Sequence, residues 1–207
     1  MELKAEQLKK QFGNRIVFQG LSFETSSPVP LAITGANGSG KSTLLKVLAG
    51  LERATSGIVR YSEKGKDIPI DQLRLTLGFV APYLNLYGNL SGYENILFSI
   101  QAKNLNIQNS AVDELFEYFQ LRLAKHQLLK TYSSGMIQRV RFIQALIANP
   151  QVLFLDEPTT TLDTAGKSLF WNYVLSAQQL RLLIIASNDE DDLKHCKHRI
   201  CMESFKK

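Results

Sequence analysis

Long apolar runs, cysteines and tryptophan are all scarce in this chain. The clearest apolar runs, 152–155 and 182–186, fall far short of the ~20 residues needed to span a bilayer. The first ten residues are charged, which is not the pattern of a secretion signal, so the chain is expected to stay in the cytoplasm. No low-complexity tract and no internal repeat stands out. The two cysteines, Cys196 and Cys201, lie near His195 and His198, but their spacing matches no structural zinc pattern. Residues 198–202 read instead as a terminal strand in which Cys201 is a small apolar residue, and Cys196 as the end of the helix before it.

A length of 207 residues suffices for one substantial core and is short for two domains. Composition is that of a globular protein, with 44% hydrophobic and 21% charged residues. The formal charge of +5 is spread along the chain, apart from clusters at 194–199 and at Lys206 and Lys207. Scattered charge reads as a solvated surface, with attraction to acidic lipid headgroups or a membrane partner as the alternative. Nucleic acid is not an expected partner, because no aromatic residues interleave the basic ones.

Residues 3–8 and 16–24 carry partly alternating apolar side chains around Gly13 and Asn14, which predicts a hairpin. A short buried strand follows at 31–34. A helix is expected over 41–49, with Leu44, Leu45 and Leu48 on one face and Gly50 as its stop. Residues 57–61 and 77–80 read as strands, with a turn at 63–66. From Ala81 to about Ala148 the chain reads as helical, with Ser110 and Asp113 as a capping pair. The runs 152–155 and 182–186 are wholly apolar strands, as a parallel sheet covered on both faces requires, with a helix at 164–179 between them. Alternating strands and helices predict an α/β sheet with an inserted helical subdomain at about 83–148.

Gly35-Ala36-Asn37-Gly38-Ser39-Gly40-Lys41-Ser42 fits G-x-x-x-x-G-K-[ST] and sits between a predicted strand and a predicted helix. Glycines let successive N–H groups turn inward at phosphate oxygens, and the helix N-terminus adds its partial positive charge. Lys41 carries a full charge to the outer phosphates, Ser42 offers a hydroxyl oxygen to Mg²⁺, and Thr43 completes the set. ATP is the expected ligand. Asp156, at the end of the 152–155 run, is placed to hold the Mg²⁺ shell, and Glu157 to polarise an attacking water.

With these motifs in order, the chain resembles the ATP-binding subunits of ABC transporters over nearly its whole length. Residues 132–139, Tyr-Ser-Ser-Gly-Met-Ile-Gln-Arg, resemble the family signature, with Ser133, Gly135, Gln138 and Arg139 matching and Tyr132, Ser134 and Met136 departing. Thr160-Thr161-Leu162-Asp163 resembles the D-loop, and Phe12 stands where the family places an adenine-stacking aromatic. The resemblance implies a single ATP-binding domain over 1–207. The fold it implies is α/β: a P-loop NTPase core with a mainly parallel sheet, an N-terminal antiparallel β-layer and the helical insertion. It implies that Ser133, Ser134 and Gly135 meet the γ-phosphate held by a second ATP-binding subunit, a second copy in a homodimer. It also implies a separate integral membrane permease, contacted through 83–95 with Tyr83, Tyr87 and Tyr93, and a place on the inner face of the membrane. A haem-exporter-type ATPase and a slow nucleotide-dependent switch are alternatives within it.

Two positions depart from the family pattern. Pro82 stands where a glutamine is usual and brings neither a side-chain oxygen nor an N–H. Asn188 stands where a histidine is usual; it can donate a hydrogen bond but cannot become cationic. Lys41, Ser42, Asp156 and Glu157 are all present, so slow or partner-dependent ATP hydrolysis is expected.

Overall fold

The computed structural model describes residues 1–176 and 181–206. Strands β1 (Glu2–Phe12) and β2 (Arg15–Ser26) pair antiparallel around Gly13 and Asn14, with Phe12 opposite Arg15. Leu3 and Ala5 of β1 point inward, and then the alternation slips, so that the next buried residues are Leu8 and Lys10. The register shifts at the same place, and Gln7 there has φ +50, so a bulge absorbs the extra residue. β4 (Ser56–Glu63) pairs with the other edge of β1, and β5 (Lys66–Ile68) completes a sheet of order β2-β1-β4-β5.

The second sheet contains β3 (Leu31–Thr34), β6 (Gly78–Val80), β7 (Val152–Asp156), β8 (Leu182–Ala186) and β9 (His198–Cys201). Its order is β6-β7-β8-β3-β9, and every pair is parallel. Side chains of β7 and β8 alternate between two cores. Val152, Phe154, Leu182 and Ile184 join a core shared with β1, β2 and helix α1 (Lys41–Leu48). Leu153, Leu155, Leu183 and Ile185 join the other, shared with helices described below. This two-sided burial is the physical reason these strands are unbroken apolar runs.

Short helix α2 (Ile70–Thr76) precedes β6. Between β6 and β7 come α3 (Gly92–Ala102), α4 (Asn109–Tyr118) and α5 (Ser134–Leu146), with α3 and α4 packed on α5 and α5 against β6. α6 (Thr164–Ser176) and α7 (Glu190–Leu193) follow β7 and β8. The stretch expected to be helical thus consists of three α-helices and their loops. Ser110 is not a cap: it lies inside α4, whose N-cap residue, Gln108, makes no side-chain cap bond. The capping box belongs to α3, where Ser91 Oγ accepts from Glu94 N–H and the Glu94 carboxylate accepts from Ser91 N–H. Residues 177–179, expected to finish the helix that starts at Thr164, lie outside the described residues, as does Lys207. Cys201 is exposed rather than apolar packing, and its thiol donates to Glu203 Oε2 at 3.0 Å. Among the described residues no helix is long and apolar enough to cross a membrane.

Candidate functional site

Strand order determines where the chemistry gathers. β7, β8 and β3 are neighbours and parallel, so their C-terminal ends open side by side. Gly35 follows β3, Asp156 and Glu157 close β7, and Ser187 and Asn188 follow β8. Side chains from three distant segments thus meet at one sheet end, where open α/β sheets bind ligands.

The loop 35–42 is held by contacts within its own chain. Gly40 caps α1 at φ +107, and a Cβ there would lie 2.6 Å from Val17 Cγ1, so only glycine fits. Lys41 is buried; its Nζ donates to Gly35 O at 2.6 Å and lies 3.8 Å from Glu157 Oε1. Ser39 N–H donates to Ala36 O at 2.9 Å. Gly35 N–H donates to Asn188 Oδ1 at 3.3 Å, and Ala36 N–H to Glu203 Oε1 at 2.6 Å. Asn188 thus braces the loop with its oxygen, which leaves its amide hydrogens as the donors it can offer elsewhere.

Asp156 is only 1% exposed, and neither carboxylate oxygen has a hydrogen-bond partner among the described residues. Burial pushes its pKa up, and the nearby ammonium groups of Lys41 and Lys46 pull it down. A buried carboxylate without partners is costly unless a cation or proton offsets it. Carboxylate and hydroxyl oxygens are the donor set that suits a hard divalent ion such as Mg²⁺. Ser42 and Asp156 fit one.

Glu157 sits at φ +46, a left-handed conformation uncommon for a side-chain-bearing residue. Its N–H donates to Ala186 O at 2.8 Å, which ties the turn to β8. Burial raises its pKa, and Lys41 and the Ser187 hydroxyl lower it. Ser187 Oγ donates toward Glu157 Oε2 at 3.2 Å and lies 2.8 Å from Asp192 Oδ2, while Thr159 Oγ1 donates to Asp192 Oδ1 at 2.8 Å. Asp192 is buried, and burial raises its pKa also. This inner network fixes the backbone around Glu157 from behind, and only the fold brings it together.

A cleft of about 530 Å³ is lined by Phe12, Arg15, Val17, residues 37–43, Asp156 and Glu157. Phe12 is half exposed at its rim, and the Lys10 ammonium sits 4.3 Å from the ring centroid. Lys10 is itself buried and donates to Glu52 Oε1 at 2.7 Å and Arg53 O at 2.8 Å, so one face of the ring rests on a fixed cation. Arg15 and Val17 were not foreseen; the strand leaving the Gly13 turn beside Phe12 is the signal that points to them.

Ser133, Ser134 and Gly135 do not line this cleft. They open α5, where Ser133 Oγ accepts from Met136 N–H at 3.2 Å, and Ser134 is exposed. Gln138 Nε2 donates to Pro158 O at 2.7 Å, linking α5 to the segment after Glu157. Asp163 Oδ1 accepts from Gly166 N–H in the first turn of α6 and lies 3.9 Å from Arg139 Nη2. Of the three tyrosines expected to face outward, Tyr83 and Tyr87 are exposed, and Tyr93 packs against the helical core.

Comparison with known proteins gives this geometry its context. The family model for ABC transporters matches residues 18–160. The ABC transporter ATP-binding protein YdbJ of Bacillus subtilis (strain 168) is 33% identical over 172 residues, covering 83% of this chain and 56% of that protein. The sulfate/thiosulfate import ATP-binding protein CysA of Escherichia coli (strain K12) is 29% identical over 213 residues, covering 99% of this chain and 58% of that one. The chain thus spans little more than half the length of these curated relatives. The dimeric post-hydrolysis structure of the ATP-binding cassette MJ0796 bound to ADP and Pi superposes with a TM-score of 0.84 at 21% identity, over 96% of this chain and 93% of that one, which shows a shared fold. By its family match and by the ordered loop, strand ends and signature helix, this chain belongs to the ABC transporter family of ATP-binding subunits.

Proposed function

We propose that the chain binds and hydrolyses ATP to power a separate membrane permease, on whose cytoplasmic side it docks. The carrying observation is the convergence of Lys41, Ser42, the unpartnered Asp156 and Glu157 on one cleft beside the loop amides. In this reading residues 35–43 hold the triphosphate, with Lys41 on its outer oxygens and Phe12 under the adenine. Ser42 and Asp156 hold Mg²⁺, which when bound offsets the negative charge of the outer phosphates. Glu157, held by Ala186 and Ser187, polarises the attacking water. Asn188 reaches the γ-phosphate through its amide, and Asp163 with residues 133–135 serves the opposing site of a second copy. Residues 83–148 form the helical part of a single ATP-binding domain. Because Pro82 supplies no side-chain oxygen and Asn188 cannot carry a proton, turnover is slow; one missing transition-state hydrogen bond costs on the order of 10²-fold.

Calorimetry and phosphate release on the purified chain test this. The parent takes up ATP with Mg²⁺, and Lys41→Ala loses that uptake. Glu157→Gln keeps ATP binding and loses turnover. Equal turnover in Glu157→Gln overturns the assignment of the base; absence of nucleotide uptake by the parent overturns the whole reading.

A further inference from the structure

The two ends of the cleft are tied together behind the ring of Phe12. Phe12 is the last residue of β1, and it lines the cleft while Lys10 does not. The Lys10 ammonium, 4.3 Å from the ring centroid, therefore covers the face turned away from the cleft. It is anchored in turn by Glu52 Oε1 and Arg53 O. The backbone of the same segment is gripped too: Gln11 N–H donates to Thr55 Oγ1 at 3.0 Å, and Thr55 N–H to Lys9 O at 2.8 Å. Glu52, Arg53 and Thr55 belong to the loop that leaves α1, where the N–H groups of Leu51 and Glu52 donate to Lys46 O at 2.8 and 3.1 Å. One helix thus presents Lys41 and Ser42 at its start and, past its end, anchors the cation behind the ring.

Stability alone does not call for a lysine at this place. Lys10 is 6% exposed, and an apolar side chain there would avoid desolvating an ammonium. What a cation adds is attraction for the face of the ring. Phe12 is half exposed at a strand end, where a free ring would have to be ordered each time a base stacked on it. We propose that Lys10 is a positioning residue for the nucleotide base: with Glu52 it holds the Phe12 ring in its stacking orientation, in fixed relation to the phosphate loop. The assignment rests on the reading of Phe12 as the ring under the base. Lys10 does not line the phosphate cleft, so its effect is confined to ligands that carry a base.

Calorimetry with Mg²⁺ on the purified chain compares ATP with inorganic tripolyphosphate, which has no base. Lys10→Met is expected to weaken ATP binding about fivefold, the size of one such contact, and to leave tripolyphosphate affinity unchanged. Glu52→Ala removes one of the two anchors at a partly exposed position and moves ATP affinity in the same direction; it carries the test if Lys10→Met does not fold. In a Phe12→Ala background neither change lowers ATP affinity further. Unchanged ATP affinity in Lys10→Met, or in Glu52→Ala where Lys10→Met does not fold, overturns the inference. So does an equal loss of tripolyphosphate affinity, or an undiminished loss without the ring, because the lysine then acts on the fold and not through Phe12. These outcomes leave the ATP-binding reading standing. If Phe12→Ala binds ATP as tightly as the parent, the placing of Phe12 under the base falls and the inference with it.

Discussion

Glu203 does for the phosphate loop what a capping carboxylate does for a helix end. Its Oε1 accepts the Ala36 N–H and its Oε2 accepts the Cys201 thiol. Those bonds, the Ala36 amide first, hold its carboxyl down at about 2, below the ordinary 4.5. A depressed folded pKa means that the contact contributes fully above 4.5 and fades as pH falls through about 2. The Ala36 amide shift in ¹⁵N NMR is therefore expected to hold steady from neutral pH down through the ordinary carboxylate range, to about 4. Below that it moves toward the value seen in Glu203→Gln, with a midpoint well under the ordinary carboxylate range. A midpoint at the ordinary value would show that the carboxyl gains nothing from the amide. The residue also marks a limit of sequence reading. Lys41, Ser42, Asp156 and Glu157 were visible because their chemistry is written within short stretches at fixed spacing. Glu203 was not, since only the pairing of β9 with β3 carries that segment to the strand ends.

Among the elements, β1 shows how a strand keeps one buried face across a break in alternation. The slip at Gln7 is possible because Gly57, on the facing strand, yields space: a Cβ there would lie 2.5 Å from Gln7 O and 2.6 Å from Glu6 O, and its φ is +91. Gly57→Ala is therefore expected to destabilise the chain by about 2 kcal/mol or more in urea unfolding, from left-handed strain plus the backbone clash. A loss below ~0.5 kcal/mol, the level of a neutral surface change, would show that the bulge relaxes freely. The partial alternation in the sequence conveyed that 3–8 was a strand; it did not reveal the bulge, because glycine on another strand sets it. The apolar runs of β3, β7 and β8 were legible since burial on both faces leaves no polar positions. α2 was missed because it is short and buries only Leu73. The misassigned cap at Ser110 has a similar origin: serine and an acid three residues apart occur at both 91–94 and 110–113, and the start of each helix, fixed by packing, decides which pair can cap.

At the scale of the whole molecule, the cleft and the signature helix point to different solutions of one problem. The phosphate cleft has Lys41, Asp156 and Glu157 but no residue of 133–135 in its lining, while the start of α5 exposes Ser134. If two copies close on ATP, each site takes its loop from one copy and its signature from the other, as two-fold symmetry requires. Two defects on different copies then separate. Lys41→Ala spoils the loop but keeps an intact α5 start; Gly135→Asp puts a carboxylate at the α5 start but keeps an intact loop. Each variant alone leaves no complete site and is expected to lose phosphate release. Mixed in equal amounts, random pairing makes half the dimers mixed, each with one intact site, so release should return to about a quarter of the parent rate. The measurement is steady-state phosphate release on the separate and mixed variants. Full activity in Gly135→Asp alone would mean that the cleft works without the opposing signature, and no recovery on mixing would mean that the two halves are not completed by a second copy.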